Sequence, residues 1–288
     1  MRIAPKYLFA VILAVALNPS SISLFAADTP LTADQIIARH LDALGPAAAR
    51  AAIKDRVVHG TASYRILVGG GGSVSGTEGL VSEGNKVRLL LRFAAGDYKG
   101  ENVAYNGNSA AVGFSNANQS RSPFSQFLVS QDVIVRDGLL GGALSTAWPF
   151  LKLDGSKPRL VLDGMAKVDK RPVYRLRYQP GNSQDIQIML YFDEETFRHL
   201  KSEYIAFVGT GMSSGGVTMS SKLQPERVTL EEDFSDFQTF DGLTLPTNWK
   251  IHFTRERQSG STTVSEWELK SSKILHNVGL DPRNFEVK

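Results

Sequence analysis

Residues 56–68 read RVVHGTASYRILV, and their period is two. Val58, Gly60, Ala62, Tyr64, Ile66 and Val68 fall on one face, while His59, Thr61, Ser63 and Arg65 fall on the other. Alternation of this length predicts a long strand buried on one side. Gly69 to Gly72 interrupt it, a second strand runs through Leu80, and Gly84-Asn85 supply the two-residue turn of a tight hairpin. Val87, Leu89, Leu91 and Phe93 then alternate with Lys86, Arg88 and Arg92, and residues 102–105 and 110–114 flank Asn106-Gly107-Asn108 as another hairpin. The pattern predicts a meander of antiparallel strands.

Upstream of the first strand, Thr32-Ala33-Asp34-Gln35 has the spacing of a capping box. Ile36, Ile37, His40, Leu41 and Leu44 then recur at helical spacing before Gly45-Pro46 stops the turn, which predicts an amphipathic helix over Ala33–Leu44. Residues 47–54 continue as a short Ala-rich helix, and His40 reads as a histidine at the edge of the core. Further back, Arg2 and Lys6 precede the apolar run from Tyr7 to Leu17, and the stretch ends in Ser23-Leu24-Phe25-Ala26-Ala27. This is the pattern of a secretory signal peptide, with cleavage expected after Ala26. The run is well short of the ~20 residues that a spanning helix needs. The expected organisation is therefore a leader over 1–26 and one exported domain over 27–288, with no transmembrane anchor after cleavage.

Downstream, the pattern changes between 122 and 153. Ser122-Pro123 has the N-cap and first-turn signature of a helix, Phe124, Phe127 and Leu128 share a face, and residues 139–151 are expected as further helix loosened by Gly138, Gly141 and Gly142. Sheet periodicity then returns and persists from Arg159 to Leu275. About ten or eleven strands in runs, with three or four short helices between them, argue for an α+β fold and against a parallel sheet.

Composition removes several function classes. The chain contains no cysteine, so disulfides, a thiolate nucleophile and a lipidated cysteine are all excluded. Of the formal net charge of +3, two charges are Arg2 and Lys6 of the leader, which leaves the remainder close to neutral. No basic run or basic-aromatic stripe gives a phosphate-binding footprint, so nucleic acid is not expected as a partner. No cofactor is expected, because Gly69 to Gly72 are not followed by the Lys-Ser or Lys-Thr of a phosphate loop and no G-x-G-x-x-G can be placed. No metal site is expected either, as the five histidines lie far apart in sequence. His199 and Glu203 are expected as a solvated pair on one strand face, and Asp193-Glu194-Glu195 as a hairpin turn. Asn118-Gln119-Ser120 fits a glycosylation acceptor but is discounted in a chain with a bacterial-type leader.

One enzymatic candidate stands out. Gly211-Met212-Ser213-Ser214-Gly215 matches the G-x-S-x-G nucleophile elbow, with Asp233, Asp236, His252 and His276 following it. An elbow needs a helix directly after the serine, and Gly216-Val217-Thr218-Met219-Ser220-Ser221 is poor helix sequence. The segment is expected as a loop, and no residue is assigned a catalytic role.

The apolar inventory remains. A sheet carrying large inward side chains, with Gly-loosened apolar helices inserted midway, predicts a groove that excludes water. Its expected lining is Leu89, Leu91, Phe93, Ile188 and Leu190 from the sheet, with Phe127, Trp148 and Phe150 from the inserted segment; the same residues packed as ordinary core are the competing reading.

Two stretches carry a family resemblance. Residues 190–197, LYFDEETF, leading into 200–204, LKSEY, and Phe234-Ser235-Asp236-Phe237 followed by Asp241-Gly242-Leu243-Thr244-Leu245-Pro246, resemble bacterial lipoprotein-sorting carriers of the LolA/LolB type. The opening helix and the closing residues 277–285 fit the same group. The resemblance implies an unclosed antiparallel β-barrel wrapped around helices, with an apolar cavity that shelters acyl chains in the periplasm. It implies a non-enzymatic carrier whose partner is a lipid or the acyl chain of a lipoprotein. An envelope sensor of the same fold, meeting a transient protein partner, and an esterase using Ser213 are the alternatives.

Overall fold

The computed structural model describes residues 31–94, 98–113, 121–151, 158–181, 185–209 and 225–287. The expected leader with its cleavage after Ala26, the Asn118-Gln119-Ser120 tripeptide and the 210–221 loop that holds Ser213 all lie outside them.

The chain opens with α1 (Ala33–Leu44) and α2 (Ala47–Ala52). The capping box forms as expected: Thr32 Oγ1 accepts from the Gln35 amide at 3.2 Å and Gln35 Oε1 accepts from the Thr32 amide at 2.8 Å. Five strands follow, β1 (Asp55–Val68), β2 (Ser73–Glu83), β3 (Lys86–Phe93), β4 (Asn102–Tyr105) and β5 (Ala110–Val112). An inserted segment comes next, made of α3 (Pro123–Ser130), α4 (Val133–Arg136) and two 3-10 turns, Gly142–Leu144 and Pro149–Leu151. Seven strands complete the chain: β6 (Arg159–Val168), β7 (Arg171–Gln179), β8 (Ile186–Asp193), β9 (His199–Gly209), β10 (Pro225–Phe240), β11 (Leu243–Arg257) and β12 (Thr262–His276). A last 3-10 turn, Pro282–Phe285, lies against β3.

All twelve strands form one sheet in the order β5-β4-β3-β2-β1-β12-β11-β10-β9-β8-β7-β6. Neighbours pair antiparallel throughout, and among the described residues β5 and β6 do not pair, so the sheet is an unclosed barrel. The topology is two meanders, β1–β5 and β6–β12, zipped together at β1 and β12, where Tyr64 faces Trp267 and Ala62 faces Leu269. The inserted segment lies in sequence between the two edge strands, β5 and β6, and packs against β4, β5, β9 and β11. The fold is the expected α+β one, with twelve strands in place of about ten or eleven; β4 and β5, at four and three residues, pair as the hairpin expected around Asn106-Gly107-Asn108.

The core lies between the inner face of the sheet and the inserted segment. Leu80, Leu89, Leu91, Ile188, Leu190, Leu230, Trp249, Ile251 and Leu269 meet Phe124, Phe127, Leu128, Ile134, Leu139, Leu144 and Trp148, all of them buried. Residues 139–151 are not the continuous helix that their composition suggests. Gly138, Gly141 and Gly142 adopt φ of 79°, 76° and 51°, and such left-handed residues end a right-handed helix at each recurrence.

Register also overturns one expectation. The pairing of β8 with β9 shifts between Tyr191 and Phe192, so His199 faces Phe192 while Lys201 faces Tyr191. The bulge turns His199 inward, where it is buried, and leaves Glu203 outside accepting from the Tyr191 hydroxyl at 3.0 Å. The solvated His199–Glu203 pair does not form. Asp193 behaves as expected of a turn residue, its Oδ1 accepting from the Thr196 amide at 2.7 Å.

Candidate functional site: an aromatic cavity at one end of the sheet

The cavity follows from how the segment after β3 returns to the sheet. Leu91 and Glu101 exchange backbone hydrogen bonds at 2.8 and 3.1 Å, and the Phe93 amide donates to the Lys99 carbonyl at 3.0 Å, so residues 99–101 run beside β3 as an extra piece of strand. Gly100 makes this approach possible, with φ of 114° and a position where a Cβ would stand 2.0 Å from the Leu91 carbonyl oxygen. Strand-like alternation then turns Glu101 inward beneath the N-terminus of α3.

Glu101 is buried, and three hydroxyls converge on it. Tyr98 Oη donates to Oε1 at 2.6 Å, Ser122 Oγ donates to Oε2 at 2.7 Å, and Ser125 Oγ donates to the same Oε2. Burial raises the carboxyl's pKa, and the bonds from Ser125, Tyr98 and Ser122 oppose the rise. Ser122 is also the N-cap of α3, accepting from the Ser125 amide at 3.0 Å, so one side chain both starts the helix and holds the acid. Trp267 Nε1 donates to Tyr98 Oη at 2.8 Å and completes the chain of polar contacts.

Around this polar floor stand aromatic rings from five separate elements. Tyr64 lies 4.2 Å from Tyr98 and 5.1 Å from Trp267, ring centroid to ring centroid, and Phe124 lies 4.9 Å from Trp267 and 5.7 Å from Phe253. They enclose a cavity of about 390 Å³, within the range of roughly 300–1,000 Å³ typical of small-molecule sites. Lys99, Arg121, Arg255, Thr263 and Ser265 also line it. Arg255 is fixed there by Glu226, whose Oε2 accepts from Nε at 3.1 Å and Nη2 at 2.9 Å. The site can take a hydrocarbon or aromatic body against the rings and hydrogen-bond a polar group at Glu101.

The eight residues expected to line the groove occupy other places. Leu89, Leu91, Phe93, Ile188, Leu190, Phe127, Trp148 and Phe150 are all buried in the continuous core, and none of them lines this cavity. Phe93 and Phe127 stand directly behind the wall, with ring centroids 5.3 Å from Tyr98 and 5.7 Å from Phe253, and Leu91 is joined to Glu101 through the backbone. Trp148 and Phe150 sit deeper, in a separate cluster with His40, Phe192 and His199. Sequence reasoning passed over Tyr98 and Glu101, which lie in a segment without period; the one available signal was an acid bounded by Gly100 and the apolar run 103–105.

An open antiparallel sheet wrapped around a helical insertion, with a cavity between sheet and insertion, is the architecture implied by the resemblance drawn above. The chain is similar in fold to several solved structures. A LolA superfamily protein from Nitrosomonas europaea aligns over 89% of this chain and 98% of its own at 16% identity, with a TM-score of 0.47. A DUF1329 family protein from Desulfovibrio piger aligns over 88% and 96% at 16% identity (TM-score 0.45), and a putative outer membrane lipoprotein-sorting protein domain from Vibrio parahaemolyticus over 86% and 97% at 13% identity (TM-score 0.42). No protein-family model and no curated protein sequence matches the chain. Among the described residues, no helix is long and apolar enough to cross a membrane.

Proposed function

We propose that the protein is a non-enzymatic, exported carrier that shelters a lipid, or the acyl chain of a lipoprotein, and that the aromatic cavity is where the apolar chain enters. The observation that carries this reading is the cavity of about 390 Å³ walled by Tyr64, Tyr98, Phe124, Phe253 and Trp267. Hydrocarbon placed against these rings gains roughly 25 cal/mol for each Å² removed from water. Glu101, with its pKa raised and its oxygens already bonded, adds little charge penalty to that gain. A chain longer than the cavity meets Phe93 and Phe127 first, and beyond them the remaining groove residues, Leu89, Leu91, Ile188, Leu190, Trp148 and Phe150, which become accessible as the inserted segment shifts off the sheet.

The test is uptake of a fluorescent fatty acid by delipidated protein, with native mass spectrometry of whatever the protein carries from the cell. Ser265→Trp plugs the half-exposed rim of the cavity without touching the core, and uptake at least tenfold weaker is expected. Equal uptake by wild type and Ser265→Trp would remove the cavity from the mechanism.

A second reading, an envelope interaction module, is favoured by the edge strand β6. Among the described residues it pairs only with β7, and Val161 and Met165 on it are exposed. An apolar edge offers backbone groups to a partner's strand. Met165→Lys is expected to abolish capture of such a partner while leaving fatty-acid uptake unchanged; loss of uptake would tie the edge to the cavity.

A further inference from the structure

At the other end of β1 from the aromatic cavity lies a second one, of about 590 Å³, between α2, the β2–β3 turn and the end of the inserted segment. Its charged lining is entirely basic: Arg50, Lys54 and Arg56, joined by Asn85 and Thr146, with no Asp or Glu among the described residues that form it. Ile53, Leu151 and Leu243 provide an apolar flank.

Arg56 is the unusual member. Its residue is 1% exposed, yet among the described residues no carboxylate reaches it within ion-pair distance. Nε donates to His276 Nε2 at 2.9 Å and Nη1 to the Ala143 carbonyl at 2.5 Å. Among the described residues, the carboxylate linked to the guanidinium is Asp241, through the imidazole, where His276 Nδ1 meets Asp241 Oδ2 at 2.7 Å. Asp55, the neighbour in sequence, faces the other way and accepts from the Val278 and Gly279 amides at 2.8 and 3.1 Å. Arg50 is held in place by the Gly45 carbonyl at 2.7 Å and sees Asp42 only at 3.9 Å, across an exposed carboxylate. A buried guanidinium left without a counter-charge is costly unless something supplies one.

We propose that this cavity binds a phosphate group, with Arg56 Nη2 and the Lys54 ammonium as its charged donors and Asn85 and Thr146 as neutral ones. With Nε and Nη1 engaged, Arg56 offers an oxyanion a charge-assisted donor at Nη2, and Lys54 completes the charge as a mobile point donor. The same chemistry is offered by free phosphate and by a phospholipid headgroup, whose glycerol end would meet Ile53, Leu151 and Leu243. The assignment does not rest on the aromatic cavity; either stands if the other fails.

The experiment is isothermal titration calorimetry of the purified protein at low salt with inorganic phosphate and, separately, with dihexanoyl phosphatidic acid below its micellar concentration. One-to-one binding is expected, weakened at least tenfold by Lys54→Glu, an exposed position, and unchanged by the charge control Lys170→Glu on the β6–β7 turn. Phosphatidic acid binding at least tenfold tighter than phosphate identifies a headgroup site, and equal affinities identify a site for the free ion. Arg56→Lys, which keeps the charge and loses the Nη2 donor, is expected to bind more weakly than wild type. Absence of binding by both ligands, or binding that Lys54→Glu leaves unchanged, would overturn the proposal.

Discussion

The indole N–H of Trp148 donates to His40 Nε2 at 3.1 Å, a bond that ties α1 to the inserted segment across 108 positions of chain. The other ring nitrogen, Nδ1, stands 3.0 Å from the Phe197 carbonyl oxygen. Both contacts are satisfied only by a neutral imidazole with its proton on Nδ1. Burial holds the ring in that form by lowering its pKa to about 4.

Acid should therefore loosen the inserted segment. Between pH 6.5 and 4 the unfolded chain binds a proton at His40 that the folded chain does not, so stability is lost as pH falls through this window, by roughly 3 kcal/mol for this residue. His40→Met removes the titration. The difference in urea unfolding free energy between wild type and variant should shrink by about that amount on going from pH 7 to pH 4; a difference that does not move with pH would place the proton elsewhere.

Glu232 predicts the opposite slope. It is fully buried under the insertion, accepting from the Gly141 amide at 2.8 Å and the Tyr204 hydroxyl at 2.7 Å, and burial raises its pKa to about 7. Between pH 4.5 and 7 the folded state holds a proton that the unfolded state has released, so the contribution is complete in acid and disappears as pH rises through 7. Glu232→Gln keeps the Gly141 bond on its carbonyl oxygen, turns its NH2 toward the Tyr204 oxygen, whose hydroxyl is left to donate to the Leu139 carbonyl, and cannot ionise. Relative to wild type it should gain roughly 3 kcal/mol between pH 4.5 and 8, read from thermal unfolding at the two pH values.

Gly100→Ala addresses the return of the chain to β3. A Cβ there is strained at φ of 114° and stands 2.0 Å from the Leu91 carbonyl oxygen. A loss of roughly 2–4 kcal/mol is expected, together with altered near-ultraviolet circular dichroism from Tyr98 and Trp267. A variant as stable as wild type would show that residues 99–101 need not lie against β3.

The sheet was legible where alternation ran long. Residues 56–64 and 87–93 print their inner face in the sequence, because one side meets hydrocarbon and the other water, whereas Val68 at the end of β1, read on the same face, is exposed. His199 was misplaced because a single bulged residue inverts the parity of everything before it, and a bulge leaves no compositional trace. The expected groove residues were correctly read as apolar and inward-facing, but apolar character is common to core and cavity. What makes a cavity here is a mismatch of surfaces at the end of the sheet, where Tyr98 and Glu101 arrive from a segment with no period. Arg56 was equally hidden, since charge at a strand's first inward position gives no sign of whether a carboxylate awaits it.

Ser122 offers a way to separate helix capping from support of the cavity floor. Its Oγ accepts from the Ser125 amide at 3.0 Å and donates to Glu101 at 2.7 Å. Ser122→Ala loses both, and a cost of about 1–2 kcal/mol is expected from the cap alone. Aspartate is as good a cap as serine, and its charge is favoured at a helix N-terminus. Were capping the whole role, Ser122→Asp would match wild type at every pH. Here the new carboxylate faces Glu101 across a hydrogen-bond distance, and two carboxylates in one buried site resist joint ionisation. Ser122→Asp should therefore resemble wild type near pH 4, where one shared proton bridges the pair, and fall below it by more than ~1 kcal/mol at pH 8. Thermal unfolding of the three proteins across that range, with fatty-acid uptake measured in parallel, distinguishes the roles: uptake that follows the pH-dependent loss in Ser122→Asp ties the acid to the cavity, and uptake indifferent to it leaves Glu101 a purely structural anchor for α3.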